Sequence, residues 1–199
     1  MKRFAILCAL VLSIAALAPA ASAQSSNSDD KNHGNLGLNL DFTRVQPADL
    51  NMFGVGGRIG FNIRRHVVLE GEMAYDFERT KTQVITVGNL TTTVRSNLRL
   101  LHGLFGLKIQ STGPVRVFGL IKGGFVNFGV GGPVTAGVIN NQINTIVDGD
   151  TNGVVYPGAG VEFNAGWFGF RVEAGDEIMF LNNGTTNNFH AAAGPQIRF

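Results

Sequence analysis

The sequence predicts an all-β fold, an eight-stranded antiparallel up-and-down transmembrane β-barrel. Three observations carry this expectation. Eight segments alternate apolar and polar residues with period two, the connections between them alternate long and short, and aromatic residues band the apolar face near both ends of the strands.

The chain begins with Lys2 and Arg3, an apolar stretch from Phe4 to Ala18, and the small residues Ala21, Ser22 and Ala23 before Gln24. This is the pattern of a cleaved secretory signal peptide over 1–23. A lipoprotein anchor at Cys8 fits less well, because Leu7 is too large to precede a lipid-modified cysteine and Cys8 lies inside the apolar core. The single cysteine is therefore expected to leave with the signal, and with it any disulfide or thiol chemistry. Loss of Lys2 and Arg3 takes 16 basic residues to 14, equal to the 14 acidic ones, so the formal charge of +2 becomes zero. Nothing in that balance points to a nucleic-acid partner. Residues 24–33, "QSSNSDDKNH", read as a flexible leader, and 34–199 as one barrel domain with no second domain after it. Beyond the signal, no apolar run approaches the roughly 18 residues of a transmembrane helix.

The strands follow in order. "NLGLNLDFT" puts Leu36, Leu38, Leu40 and Phe42 on one face, with Asn35, Asn39 and Asp41 on the other. "GVGGRIGFNIR" alternates Val55, Ile59, Phe61 and Ile63 with Arg58 and Asn62. After a turn at Arg64, Arg65 and His66, "VVLEGEMAYDFE" sets Val67, Leu69, Met73, Tyr75 and Phe77 against Glu70, Glu72, Asp76 and Glu78. Within 94–109 the apolar face is Leu101, Phe105, Leu107 and Ile109. The strand at 115–128 is ambiguous in phase; Val117, Ile121 and Phe125 are taken as outward because this turns Lys122 inward, although Phe118 and Leu120 then also point inward. "VVYPGAGVEFNAG" gives Val155, Ala159, Val161 and Phe163 against Tyr156 and Glu162, with Pro157 as a blemish. "WFGFRVEAGD" gives Phe168, Phe170, Val172 and Ala174 against Arg171 and Glu173. "FHAAAGPQIRF" sets Phe189, Ala191, Ala193, Ile197 and Phe199 against His190, Gln196 and Arg198.

Long connections are expected near 44–53, 79–92, 129–152 and 176–188, and short ones at 64–66, 110–114 and 164–166. All long loops then lie on one rim and all short turns on the other. A soluble barrel would place its apolar residues inside; a membrane barrel inverts this. Phe42, Tyr75, Phe77 and Phe189 fall toward the long loops, and Phe163, Phe168 and Phe199 toward the short turns, which makes two aromatic girdles and puts the apolar face against lipid.

On these features, over 34–199, the chain resembles the small bacterial outer-membrane barrels of the OmpA, OmpX and opacity-protein type. Gly194, Ile197 and Phe199 are similar to the C-terminal assembly signal of such proteins: a final aromatic, an apolar residue two before it and a glycine five before it. Ala192 departs from the polar residue usual seven before the end. The resemblance implies location in the outer membrane, contact with its lipid, and reading of the last strand by the barrel assembly machinery.

No catalytic, cofactor or metal site is read from the sequence. The resemblance extends to outer-membrane lipid A deacylases, whose strand histidine with a nearby serine has no counterpart at His190. His33 falls in the leader, His66 in a turn, and His102 is expected in the lumen with Glu70 or Glu72. "GVGGRIG" lacks the following helix that phosphate binding needs, and "DGDTNG" at 148–153 lacks the spaced acidic ligands and closing glutamate of a calcium loop. The inward charges Arg58, Glu70, Glu72, Lys122, Glu162, Arg171 and Glu173, with Asp41 and Asp76 nearer the long-loop rim, are expected to pair in a lumen just wide enough for side chains. The function expected is envelope integrity or contact with a surface ligand at the long loops. The alternatives are a small channel, an outer-membrane lipid enzyme and a soluble periplasmic binding barrel.

Overall fold

The structure, a computed structural model, describes residues 33–46, 50–87, 90–131, 151–181 and 184–199. The expected signal peptide, most of the leader and the segment 133–150 lie outside the described residues. Eight strands form one closed antiparallel barrel in which each pairs with its neighbours in sequence and β8 closes on β1. They are β1 (Gly34–Val45), β2 (Leu50–Arg64), β3 (Val67–Val87), β4 (Leu90–Gln110), β5 (Val115–Gly131), β6 (Thr151–Ala165), β7 (Phe168–Leu181) and β8 (Gly184–Arg198).

Strand parity agrees with the sequence. Leu38, Phe105, Ile121 and Phe163 are exposed on the outer face, while Asn39, Glu70, Lys122 and Glu162 are buried inside. The phase of β5 is the expected one, with Phe118 and Leu120 inside at 3% and 7% exposure and Ile121 outside at 57%. The outer face is an apolar belt with aromatics at both ends. Toward the long-connection rim, the Phe42 ring lies 5.1 Å from Phe53 and 6.2 Å from Phe189. Toward the short turns, Trp167 and Phe168 stand 6.1 Å apart. Phe53, Phe180 and Trp167 extend the girdles beyond the residues read from the sequence.

The short turns fall where expected. Gly113 and Gly166 adopt φ of 112° and 64°, a region closed to most side chains. At the opposite rim the expectation needs correction, because most of 44–53, 79–92 and 176–188 is strand rather than loop. The largest extension is the β3–β4 hairpin, paired in register from Arg79↔Leu98 to Val87↔Leu90 beyond a bulge between Asp76 and Arg79. That bulge also ends the inward parity of β3, leaving Glu78 exposed. Pro157 is accommodated by the loss of two rungs: β6 pairs with β7 at Val155↔Ile178 and again at Gly158↔Gly175 without a register shift, while Pro157 keeps its place opposite Ile121 on β5.

Candidate functional site: a layered lumen

Strand alternation turns every second side chain inward, and the closed sheet stacks these side chains in three layers. The layer nearest the short turns is ionic. Arg171 on β7 donates from Nη1 to Glu70 Oε1 at 2.6 Å and from Nη2 to Glu70 Oε2 at 3.0 Å, a bidentate pair across the lumen. It also donates to Glu162 at 3.2 Å and contacts Glu173. Lys122 contacts Glu72 and lies 3.5 Å from Glu173 and 3.7 Å from Glu70. Arg58 lies 3.6 Å from Glu173. The structure thus brings together all seven residues of the expected charge network.

The sequence reading missed an eighth member. Lys108 on β4 donates to Glu162 at 2.5 Å and lies 3.1 Å from Glu70. Its signal was available, since Leu107 and Ile109 face outward and the residue between them must face inward. With Lys108 included, the basic side chains Arg58, Lys108, Lys122 and Arg171 pair with the acidic Glu70, Glu72, Glu162 and Glu173, and Arg116, buried on β5 opposite Glu162, is a further cation at the short-turn end. Phe118 has a use here too, since its ring lies 4.1 Å from the Arg171 guanidinium carbon and 5.2 Å from Lys108 Nζ. Low local dielectric strengthens such cation–π contacts to about 2 kcal/mol.

The middle layer is acidic and imidazole-rich. His190 Nε2 lies 2.5 Å from Asp41 Oδ1, and His102 Nε2 lies 3.4 Å from Asp41 Oδ2. His102 Nδ1 is 3.6 Å from Glu177 Oε1. The His190 ring packs at 5.2 Å from His102 and 4.9 Å from Tyr156. His102 is in the lumen as expected, but its partners are Asp41 and Glu177 rather than Glu70 or Glu72, which the cations of the ionic layer occupy. Above this, toward the long-connection rim, Val45, Met52, Leu100, Phe128, Val154 and Met179 form a buried apolar layer. A polar lumen with Phe118 and Leu120 also inside was expected; one end of it is a hydrophobic layer.

The three residues of the C-terminal pattern lie on the β8–β1 seam. Phe199 exchanges backbone hydrogen bonds with Gly34 at 2.8 and 3.0 Å. Its ring and Ile197 are exposed on the outer belt at 55% and 42%. Gly194 faces inward, and a Cβ there would meet the Leu38 carbonyl oxygen and, at 2.8 Å, Asn39 Cα. Steric closeness at the seam is therefore a reason for glycine at this position.

The family described as outer membrane protein beta-barrel domain matches residues 8–196. The chain belongs to that family. This outer-membrane barrel is thereby placed in the cell outer membrane, with its apolar belt against lipid. Among solved structures it is similar to neisserial surface protein A, with a TM-score of 0.58 at 10% identity over 84% of this chain and 97% of that one. It is also similar to OprG of Pseudomonas aeruginosa, with a TM-score of 0.48 at 9% identity over 84% and 97%. A third similar structure is Ail of Yersinia pestis, solved with the heparin analogue sucrose octasulfate, with a TM-score of 0.46 at 14% identity over 82% and 96%. No curated protein sequence matches the chain.

Proposed function

We propose that this barrel is a non-catalytic, closed scaffold that supports envelope integrity and presents its long-connection rim for surface contact. The observation that carries the reading is the layered interior, in which a paired ionic layer and an apolar layer both cross the lumen. Moving an ion through would require breaking several buried pairs at once, each costing about 3–5 kcal/mol. Among the described residues, His190 is fully buried between the same layers, out of reach of a lipid substrate.

Surface contact is assigned to two segments. One is the connection spanning 132–150. The other is the β3–β4 ribbon, whose pairs from Arg79↔Leu98 to Val87↔Leu90 extend about 30 Å at the rise of an antiparallel strand. Beyond Asp76 on β3 and before Asn97 on β4, these strands pair only with each other among the described residues. Their outer edges offer backbone groups to an added strand. The barrel assembly machinery is the partner proposed for the C-terminal strand through Gly194, Ile197 and Phe199.

A liposome-swelling assay with small sugars tests the closed scaffold. Reconstituted barrel should swell no faster than protein-free liposomes, and rapid size-dependent swelling would favour a small channel. An epitope inserted near Asn141 should be reached by antibody on intact cells, and one near Ser111 should not; the reverse result overturns the surface assignment.

A further inference from the structure

The ionic layer has a cation for each of its carboxylates, and the middle layer has not. It holds three carboxylates, Asp41, Asp76 and Glu177, with 2%, 1% and 0% exposure. Among the described residues, every ion pair of Asp41 and Glu177 is with a histidine. Neither carboxylate oxygen of Glu177 receives a hydrogen bond among the described residues, nor does either ring nitrogen of His102 make one. Buried polar groups left this way are costly and call for an occupant.

One ligand atom from each of Asp41, His102 and His190 lies within 4.8 Å of the other two. In a tetrahedral site with bonds of about 2.0–2.1 Å, ligand atoms stand about 3.3 Å apart. The Asp41 Oδ2 to His102 Nε2 separation of 3.4 Å already has that value, whereas His190 Nε2, hydrogen-bonded to Asp41 Oδ1 at 2.5 Å, must draw back slightly to share an ion. Two imidazoles and a carboxylate suit zinc and its first-row neighbours, whereas calcium and magnesium favour all-oxygen shells. Glu177 stands 3.6 Å from His102 Nδ1, where a small approach on metal binding would make it the acceptor that fixes the tautomer leaving Nε2 free to coordinate.

We propose that Asp41, His102 and His190 form a buried site for one zinc-type divalent ion, with Glu177 orienting His102 and water completing the coordination. The ion offsets the excess of carboxylates and ties β4 to β1 and β8, the two strands that close the barrel. This inference does not depend on whether the lumen conducts.

The test uses the full barrel refolded from urea with one equivalent of zinc chloride, dialysed, and assayed for metal content in the heat-modifiable form. About one zinc per barrel should be retained. It should also be retained by the double variant His33→Ala, His66→Ala, in which the lumen histidines are the only two left. His190→Gln should lose zinc, and Glu177→Gln should weaken it by about 10- to 100-fold. If His190→Gln fails to fold, the double variant loaded with cobalt(II) identifies the ligands by paramagnetically shifted resonances from both remaining imidazoles. Absence of stoichiometric zinc from folded wild-type barrel, loss of zinc in the double variant, or a cobalt-loaded barrel without shifted imidazoles would each overturn the site.

Discussion

At the scale of single residues, Arg171 carries the most. It reaches Glu70, Glu162 and Glu173 and lies over the face of Phe118. Arg171→Leu takes a cation from three buried carboxylates, which keep their contacts with Lys108, Lys122 and Arg58, and is expected to lower stability by about 3–5 kcal/mol, read as a fall in the urea midpoint of the heat-modifiable form. An unchanged midpoint would show that the ionic layer does not hold the barrel. Gly194→Val should sharply reduce the yield of folded barrel, because its Cβ meets the Leu38 carbonyl, whereas Ala193→Val, one position away on the outer belt, should fold normally. Much of this was legible from parity, which turned Arg58 and Arg171 inward, whereas at the ambiguous strand 115–128 the charge of Lys122 itself decided the phase. Partners were not legible, because the tilt of a barrel strand decides which residue lies opposite across the lumen. His102 was therefore expected beside Glu70 or Glu72, and it meets Asp41 and Glu177 instead.

At the scale of elements, the sequence located all eight strands and mistook their far ends for loops. Alternation reports a strand only while one face meets lipid and the other the lumen. Beyond the bilayer both faces meet water, so the period-two signal fades while the hydrogen-bonded ladder continues. The β-branched residues of "TKTQVITV" and "TTTV" were the remaining clue to the β3–β4 ribbon. Pro157, a blemish in the sequence of a barrel strand, costs only two rungs to β7. The ribbon should be separable from the barrel. Replacing 82–95 with Asn-Gly leaves the Lys81↔Ser96 and Thr80↔Asn97 pairs to frame a two-residue turn. The shortened protein should keep its heat-modifiable mobility, since the lumen layers lie below the cut. Failure to fold would make the ribbon part of the barrel's folding unit rather than an appendage.

At the scale of the whole molecule, closure at the β1–β8 seam and the layered interior decide what the barrel can do. Deleting Phe199 removes the paired hydrogen bonds with Gly34 and a girdle ring, and should reduce assembly far more than deleting Asn27. Equal yields of folded protein in the outer-membrane fraction would remove the assembly role from the C-terminus. The apolar layer near the long-connection rim was the part of the interior least legible from sequence, because Met52, Leu100 and Phe128 sit on strand segments whose two faces are both apolar or were taken for loop. That layer, together with the paired charges beneath it, is the basis for the proposed closed interior. Single-channel recording from folded, reconstituted barrel in a planar bilayer decides between a closed and an open lumen: a closed interior leaves the membrane silent, and repeated discrete conductance steps would show that the layers open.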